Sequence, residues 1–177
     1  MKLNGKNISV KEDFLKVLEH SYKTHYNLLY NYGLKFINDP NLIEDFIQDI
    51  FARLCKRGSL DDIDDIKIYL LRAIRNSAYD YFSSHHECTS IEDIEFSLSD
   101  DEDSFCNFFV NDDEEVRKYR LLRKAIHALP PQQKQILYLF YIKELSHKEI
   151  SEILDITPQA SMNSVSKSIK RLRDSIL

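Results

Sequence analysis

The chain has 177 residues, enough for one ordinary domain or two small ones, and 43% of them are hydrophobic, ample for a buried core. Its three glycines and four prolines are too few for the frequent turns of a sheet protein, so an all-α fold is expected. The net charge of -5 taken alone speaks against a nucleic-acid partner, but the charge is segregated. Residues 1–75 carry 12 Lys/Arg against 11 Asp/Glu, residues 76–116 none against 13, and residues 117–177 12 against 5. A basic terminal module can approach phosphates while an acidic middle repels them and stays solvated. Cys55, Cys88 and Cys106 are odd in number and never sit in a C-x-x-C or C-x-x-H spacing. That argues against a disulfide framework and a zinc site and leaves reduced, structural thiols. Residues 1–10 lack the apolar core of a signal peptide, and no stretch approaches the roughly 20 apolar residues of a spanning helix, so a cytoplasmic protein is expected.

In chain order, Ser9-x-x-Glu12 reads as a capping box, followed by Phe14, Leu15, Leu18, Tyr22, Tyr26 and Leu29 at three- and four-residue steps. This predicts a first helix from about Val10 to the mid-thirties. Asp39-Pro40 reads as an N-cap with Pro at the first helical position, and Ile43, Ile47, Ile50, Phe51 and Leu54 form a stripe that stops at Gly58. A third helix is expected from near Asp65 to about Ser83, with Ile66, Leu70, Ile74 and Tyr81 on its buried side. From His85 to Glu115 no helical period persists, and acids mix with serines and scattered aromatics. Residues 86–115 therefore read as an acidic linker between units at 1–85 and 116–177. Phe96, Phe105, Phe108, Phe109 and Val110 are too apolar for a purely solvated tail, so part of it is expected to dock.

After Val116 the period returns through Tyr119, Leu122, Ala125, Ile126 and Leu129 up to Pro130-Pro131, which ends one helix and can open the next. Ile136, Leu139 and Phe140 continue the core. Ser146-x-x-Glu149 is a second capping box leading a short helix through Ile150, Ile153 and Leu154. Asp155-Ile156 makes a tight turn, and Thr157-Pro158 caps a last helix. Two short helices joined by about three residues have the proportions of a helix-turn-helix. On a helical wheel Val165 centres a face holding Ser161, Ser168, Ile169, Leu172 and Ile176. Gln159, Asn163, Lys167, Lys170 and Arg171 gather on the other side. Amide side chains pair with adenine and ammonium groups with guanine acceptors, so Gln159, Asn163 and Lys167 could read base edges. Lys170, Arg171 and Arg173 suit phosphates. The alternative is an ordinary amphipathic helix with a solvated charged face.

At this point the chain resembles a known family. Leu129 to Gln159, LPPQQKQILYLFYIKELSHKEISEILDITPQ, is similar to domain four of RNA polymerase sigma factors, the module that reads the upstream (−35) promoter element. Asp155 stands where the family usually has Gly, a mild departure because Asp tolerates the left-handed conformation. Ser161 stands where an apolar residue usually packs, which predicts a looser core. Residues 41–51, NLIEDFIQDIF, resemble the acidic helix by which domain two grips the polymerase clamp coiled coil. Glu44, Asp45, Gln48 and Asp49 would then face the polymerase; a solvated acidic face is the other reading. Residues 69–81, YLLRAIRNSAYDY, resemble the element that melts and reads the downstream (−10) element. On the wheel Arg72, Arg75, Asn76 and Tyr79 share one face, opposite Leu70, Ile74 and Tyr81, combining cations for phosphates with an amide and a ring for unstacked bases. His85 and His86 follow where basic residues often stand; adjacent residues point about 100° apart, which disfavours a shared metal.

The resemblance covers about four-fifths of the chain, and it implies an extracytoplasmic-function (ECF) sigma factor of the sigma-70 family: two small helical domains joined by the acidic linker. Its implied partners are RNA polymerase core, at the clamp coiled coil and the flap, and promoter DNA, with an anti-sigma factor as restraint. Two other readings remain open: a stand-alone helix-turn-helix regulator, and a helical adaptor that binds only protein. No Gly-rich phosphate loop, zinc spacing or Ser-His-Asp arrangement is present, so neither catalysis nor a cofactor or metal is expected.

Overall fold

A computed structural model describes residues 4–85, 94–98 and 115–175. All regular structure among them is helical: α1 (Asn4–Gly33), α2 (Pro40–Arg57), α3 (Ile66–His85), α4 (Glu115–His127), α5 (Pro131–Leu137), α6 (His147–Leu154) and α7 (Pro158–Asp174), with a π-helical turn at Tyr138–Ile142 after α5. The chain divides into two compact units, Met1–Tyr81 and Phe82–Leu177. No helix among the described residues is long and apolar enough to cross a membrane.

In the first unit, Asp39 caps α2 as its spacing predicts, accepting from the backbone N–H groups of Asn41 at 3.1 Å and Leu42 at 3.3 Å. Gly58 ends α2 in the left-handed conformation, φ 75°, where a Cβ would be strained. The stripe Ile43, Ile47, Ile50, Phe51 and Leu54 is buried, together with Leu29 and Tyr32 of α1 and Leu70, Leu71 and Ile74 of α3. Where α1 ends against α2, a Cβ on Gly33 would lie 2.8 Å from Ile43 Cγ2, so the close approach requires glycine.

Three expectations need correction. Helix α1 starts at Asn4, so Ser9 and Glu12 lie inside it and do not mark its start. Once a helix is nucleated, each further residue gains a hydrogen bond at the cost of ordering only itself, and no proline stops α1 earlier. Leu15, placed on the apolar stripe, is 41% exposed. Cys55 is a free thiol at the surface and packs in no core; Cys88 and Cys106 lie outside the described residues.

In the second unit α4 ends at His127, and Pro131 opens α5. Leu122, Ile126, Leu129, Ile136, Leu137, Leu139, Ile150, Ile153, Leu154 and Leu172 form the core. The short stretch 94–98 belongs to it: Ile94, Phe96 and Leu98 are buried, while Glu95 between them is exposed. The Phe96 ring meets the Tyr138 ring edge to face at 5.6 Å. Phe105, Phe108, Phe109 and Val110 lie outside the described residues. Burying so much of Phe96 makes it structural: Phe96→Ala should lower the unfolding free energy of the second unit by about 3–5 kcal/mol, read by urea denaturation. An unshifted midpoint would place Phe96 outside the core.

Candidate nucleic-acid interface

The second unit carries a helix-turn-helix whose geometry follows from its caps. Ser146 Oγ accepts from Glu149 N at 3.3 Å, and Ser146 N donates to Glu149 Oε2 at 2.7 Å, the reciprocal capping box at the start of α6. Asp155 ends α6 at φ 58°, ψ 46°, the left-handed conformation anticipated for it, and Ile156 N returns to Ser151 O at 3.1 Å. Thr157 Oγ1 then accepts from Ala160 N at 3.1 Å and starts α7, with Pro158 at the first helical position. Three residues thus turn the chain from one helix into the next.

Helix α7 is split lengthwise. Ser161, Val165, Ser168 and Leu172 are buried and Ile169 is half-buried, while Gln159, Asn163, Lys167, Lys170 and Arg171 are all exposed. Ile176 lies outside the described residues. Two of the exposed amides are joined, Gln159 Nε2 donating to Asn163 Oδ1 at 2.9 Å. Arg171 Nη1 donates to Gln133 Oε1 of α5 at 3.4 Å, which holds it beside the body of the unit. Nearby, burial raises the Tyr141 phenol above its usual pKa, and the charge of Arg173 opposes that rise.

The looser core expected at Ser161 is not what forms. Ser161 is 0% exposed, and its hydroxyl lies 3.0 Å from His147 Nδ1, within hydrogen-bond distance. The His147 ring in turn stacks on Phe140 at 4.7 Å and 14°. Neither His147 nor Gln133 was singled out from the sequence. The available signal was two serines, Ser161 and Ser168, on a face otherwise apolar, where a buried hydroxyl demands a partner.

In the first unit, α2 turns Asp45, Gln48 and Asp49 outward, and Glu44 is half-buried. Tyr26 of α1 donates to Glu44 Oε1 at 3.2 Å, so that carboxylate is partly engaged within the unit. Burial first, and then Glu44, hold the Tyr26 phenol above its usual pKa. On α3, Arg72 and Asn76 are exposed and Tyr79 is half-buried. Arg75 is only 7% exposed, so the four residues do not form a single open face. Its guanidinium lies 4.3 Å from the centre of the Tyr79 ring, and Nη1 donates to Asn76 Oδ1 at 3.4 Å. The Phe36 ring also meets Tyr79, edge to face at 5.8 Å and 90°. The Arg75 Nε is buried with no hydrogen-bond partner among the described residues. The inward position was readable: Ile68, Leu71 and Ala78, all buried, stand seven and four residues before Arg75 and three after it.

The conformation at Asp155 sets the angle between α6 and α7. Asp155→Val, β-branched at positive φ, should cost the second unit about 1–2 kcal/mol, visible as a lower thermal midpoint; an unchanged midpoint would show that the turn relaxes.

Comparison with known proteins places both halves. The family description "Sigma-70 region 2" matches residues 21–87, and "Sigma-70, region 4" matches residues 119–172. The chain is 30% identical over 149 residues to the ECF RNA polymerase sigma factor SigM of Bacillus subtilis (strain 168), covering 84% of this chain and 87% of that protein. It is 24% identical over 139 residues to the RNA polymerase sigma factor SigZ of the same organism, covering 77% and 74%. With two separate matches in the family's order, on two helical units, and a relative spanning nearly the whole length, this chain belongs to the sigma-70 family of RNA polymerase sigma factors, in its ECF group.

Proposed function

We propose that this chain, as an ECF sigma factor, directs RNA polymerase core to promoters by engaging the two promoter elements with different surfaces, residues 1–85 acting at the downstream element and residues 116–177 at the upstream one. The observation that carries this reading is the split of α7, whose five exposed polar and basic residues lie opposite a face closed by Val165 and Leu172. A helix presented in this way by a preceding short helix fits the major groove. The outer ends of the Gln159–Asn163 pair are a carbonyl acceptor and an amide donor, the complement of an adenine edge; Lys167 suits guanine acceptors. Lys170 and Arg171 act on phosphates.

On α2, Asp45, Gln48 and Asp49 offer an outward acidic and amide surface for the clamp coiled coil, with Glu44 at its edge. The α3 surface contributes Arg72 for phosphate and Asn76 for a base edge. Arg75 supports Tyr79 from beneath, and Tyr79 offers the rest of its ring to an unstacked base, a stacking interaction worth about 1–3 kcal/mol per base. Residues 86–115 join the two domains as a polyanionic linker. Such a protein does no chemistry of its own, since the polymerase makes the bonds, and it acts where the polymerase is, in the cytoplasm. The flap of the polymerase and a cognate anti-sigma factor complete the proposed partners.

Run-off transcription with purified core polymerase and promoter fragments tests the reading. Product should require the chain, and Asn163→Ala or Lys167→Ala should cut upstream-element recognition by about 1–3 kcal/mol each. Lys170→Ala should instead weaken binding across all sequences and lower the salt slope by about one. Promoter-independent output, or full activity after all three substitutions, would refute this role for α7.

A further inference from the structure

Ser161 and Ser168 lie on the inward face of α7, each 0% exposed, about 10 Å apart along the axis at the α-helical rise. A different element holds each of them. Ser161 Oγ shares its hydrogen bond with His147 Nδ1, at the first position of α6. Ser168 Oγ donates to Gln133 Oε1, in the first turn of α5, at 3.2 Å. His147 is itself restrained by its stack on Phe140, and Gln133 Oε1 accepts a second bond from α7, from Arg171 Nη1.

Apolar burial is non-directional, so Val165 and Leu172 press α7 onto its unit while specifying its roll and slide only weakly. Hydrogen bonds are directional and weaken steeply off axis. Two of them, two turns apart and fixed to separate helices, define both rotation about the axis and position along it. We propose that the His147–Ser161 and Gln133–Ser168 pairs are positioning contacts that set the register of α7, and through it where Gln159, Asn163 and Lys167 meet base edges. This rests on the base-reading role proposed above for α7. Serine suits the task because its hydroxyl both donates and accepts, so the bond to His147 survives either ring tautomer. Base recognition requires placement to about 0.5 Å and 10–20°, which apolar packing alone does not guarantee.

The competing role is purely spatial, with serine chosen only as a small residue at a tight helix crossing. Alanine separates the two, because it keeps the small size and removes the hydroxyl. The full chain, reconstituted with core RNA polymerase, is assayed by run-off transcription on a promoter with its upstream element intact and on one with that element scrambled. Ser161→Ala and Ser168→Ala should each lower the intact-to-scrambled ratio about tenfold, the discrimination that a single bidentate base pairing supplies. Product from the scrambled template, which depends on the first unit, should stay unchanged. His147→Phe keeps the ring stack and removes the nitrogen, so it should lower the ratio as Ser161→Ala does. The double variant should go no lower than either, because both remove the same bond.

Unchanged ratios in the serine variants, or effects that add in the double variant, would overturn the positioning role. An equal fall on both templates would do the same, by revealing damage to the fold. Equal output from the two templates with the unaltered chain is a separate result: it would remove the base-reading role of α7 itself.

Discussion

The presentation of α7 depends on the burial of its inner face. Most helical stability in proteins comes from packing an amphipathic face, and α7 is no exception. Leu172 and Val165 supply that packing, at about 1.5–3 kcal/mol for each fully buried aliphatic side chain. Since opposite sides of one helix cannot both face the core, fixing these positions inward turns Gln159, Asn163 and Lys167 outward together. The outward set is therefore a consequence of the core and needs no separate cause. The caps at Ser146 and Thr157 and the left-handed Asp155 then decide how far this face stands clear of α6.

The first unit solves a different problem, because it keeps a cation inside. Arg75 is nearly covered, its guanidinium over the Tyr79 ring and its Nε without a hydrogen-bond partner among the described residues. Desolvating a charged group costs several kcal/mol unless it is compensated. Here the ring face and the Asn76 carbonyl oxygen offset only part of that. Buried polar groups left unsatisfied in this way cluster where function, more than stability, sets the residue. Tyr79, in contact with both Arg75 and Phe36, is the side chain that this arrangement orients.

What could be read from the sequence follows the physics of each element. The α2 caps and both helix-turn-helix caps were legible because capping is local: a hydroxyl or carboxylate bonds amides two or three residues ahead. The start of α1 was not, since the Ser9 and Glu12 spacing imitates a cap that the longer helix overrides. Arg75 was misplaced because one apolar stripe, Leu70 to Ile74, hid a second through Ile68, Leu71 and Ala78. Two buried stripes leave α3 a narrower open face than one stripe would. Ser161 was legible as an anomaly on an apolar face, but its partner His147 was not, because that pairing is tertiary.

The segment 94–98 shows how a polyanionic stretch can pack at all. Burying a carboxylate without a partner is prohibitive, so an acidic linker can dock only if its acids are kept out. Ile94, Phe96 and Leu98 alternate with Glu95 and Ser97, and in an extended stretch alternate side chains point to opposite sides. The apolar set enters the core of the second unit while Glu95 stays in water. The same few residues thereby fasten this stretch to the second unit and leave its one described carboxylate in water. Alternation of this kind lets a stretch inside an acidic run of sequence add three apolar side chains to a core without desolvating its carboxylate.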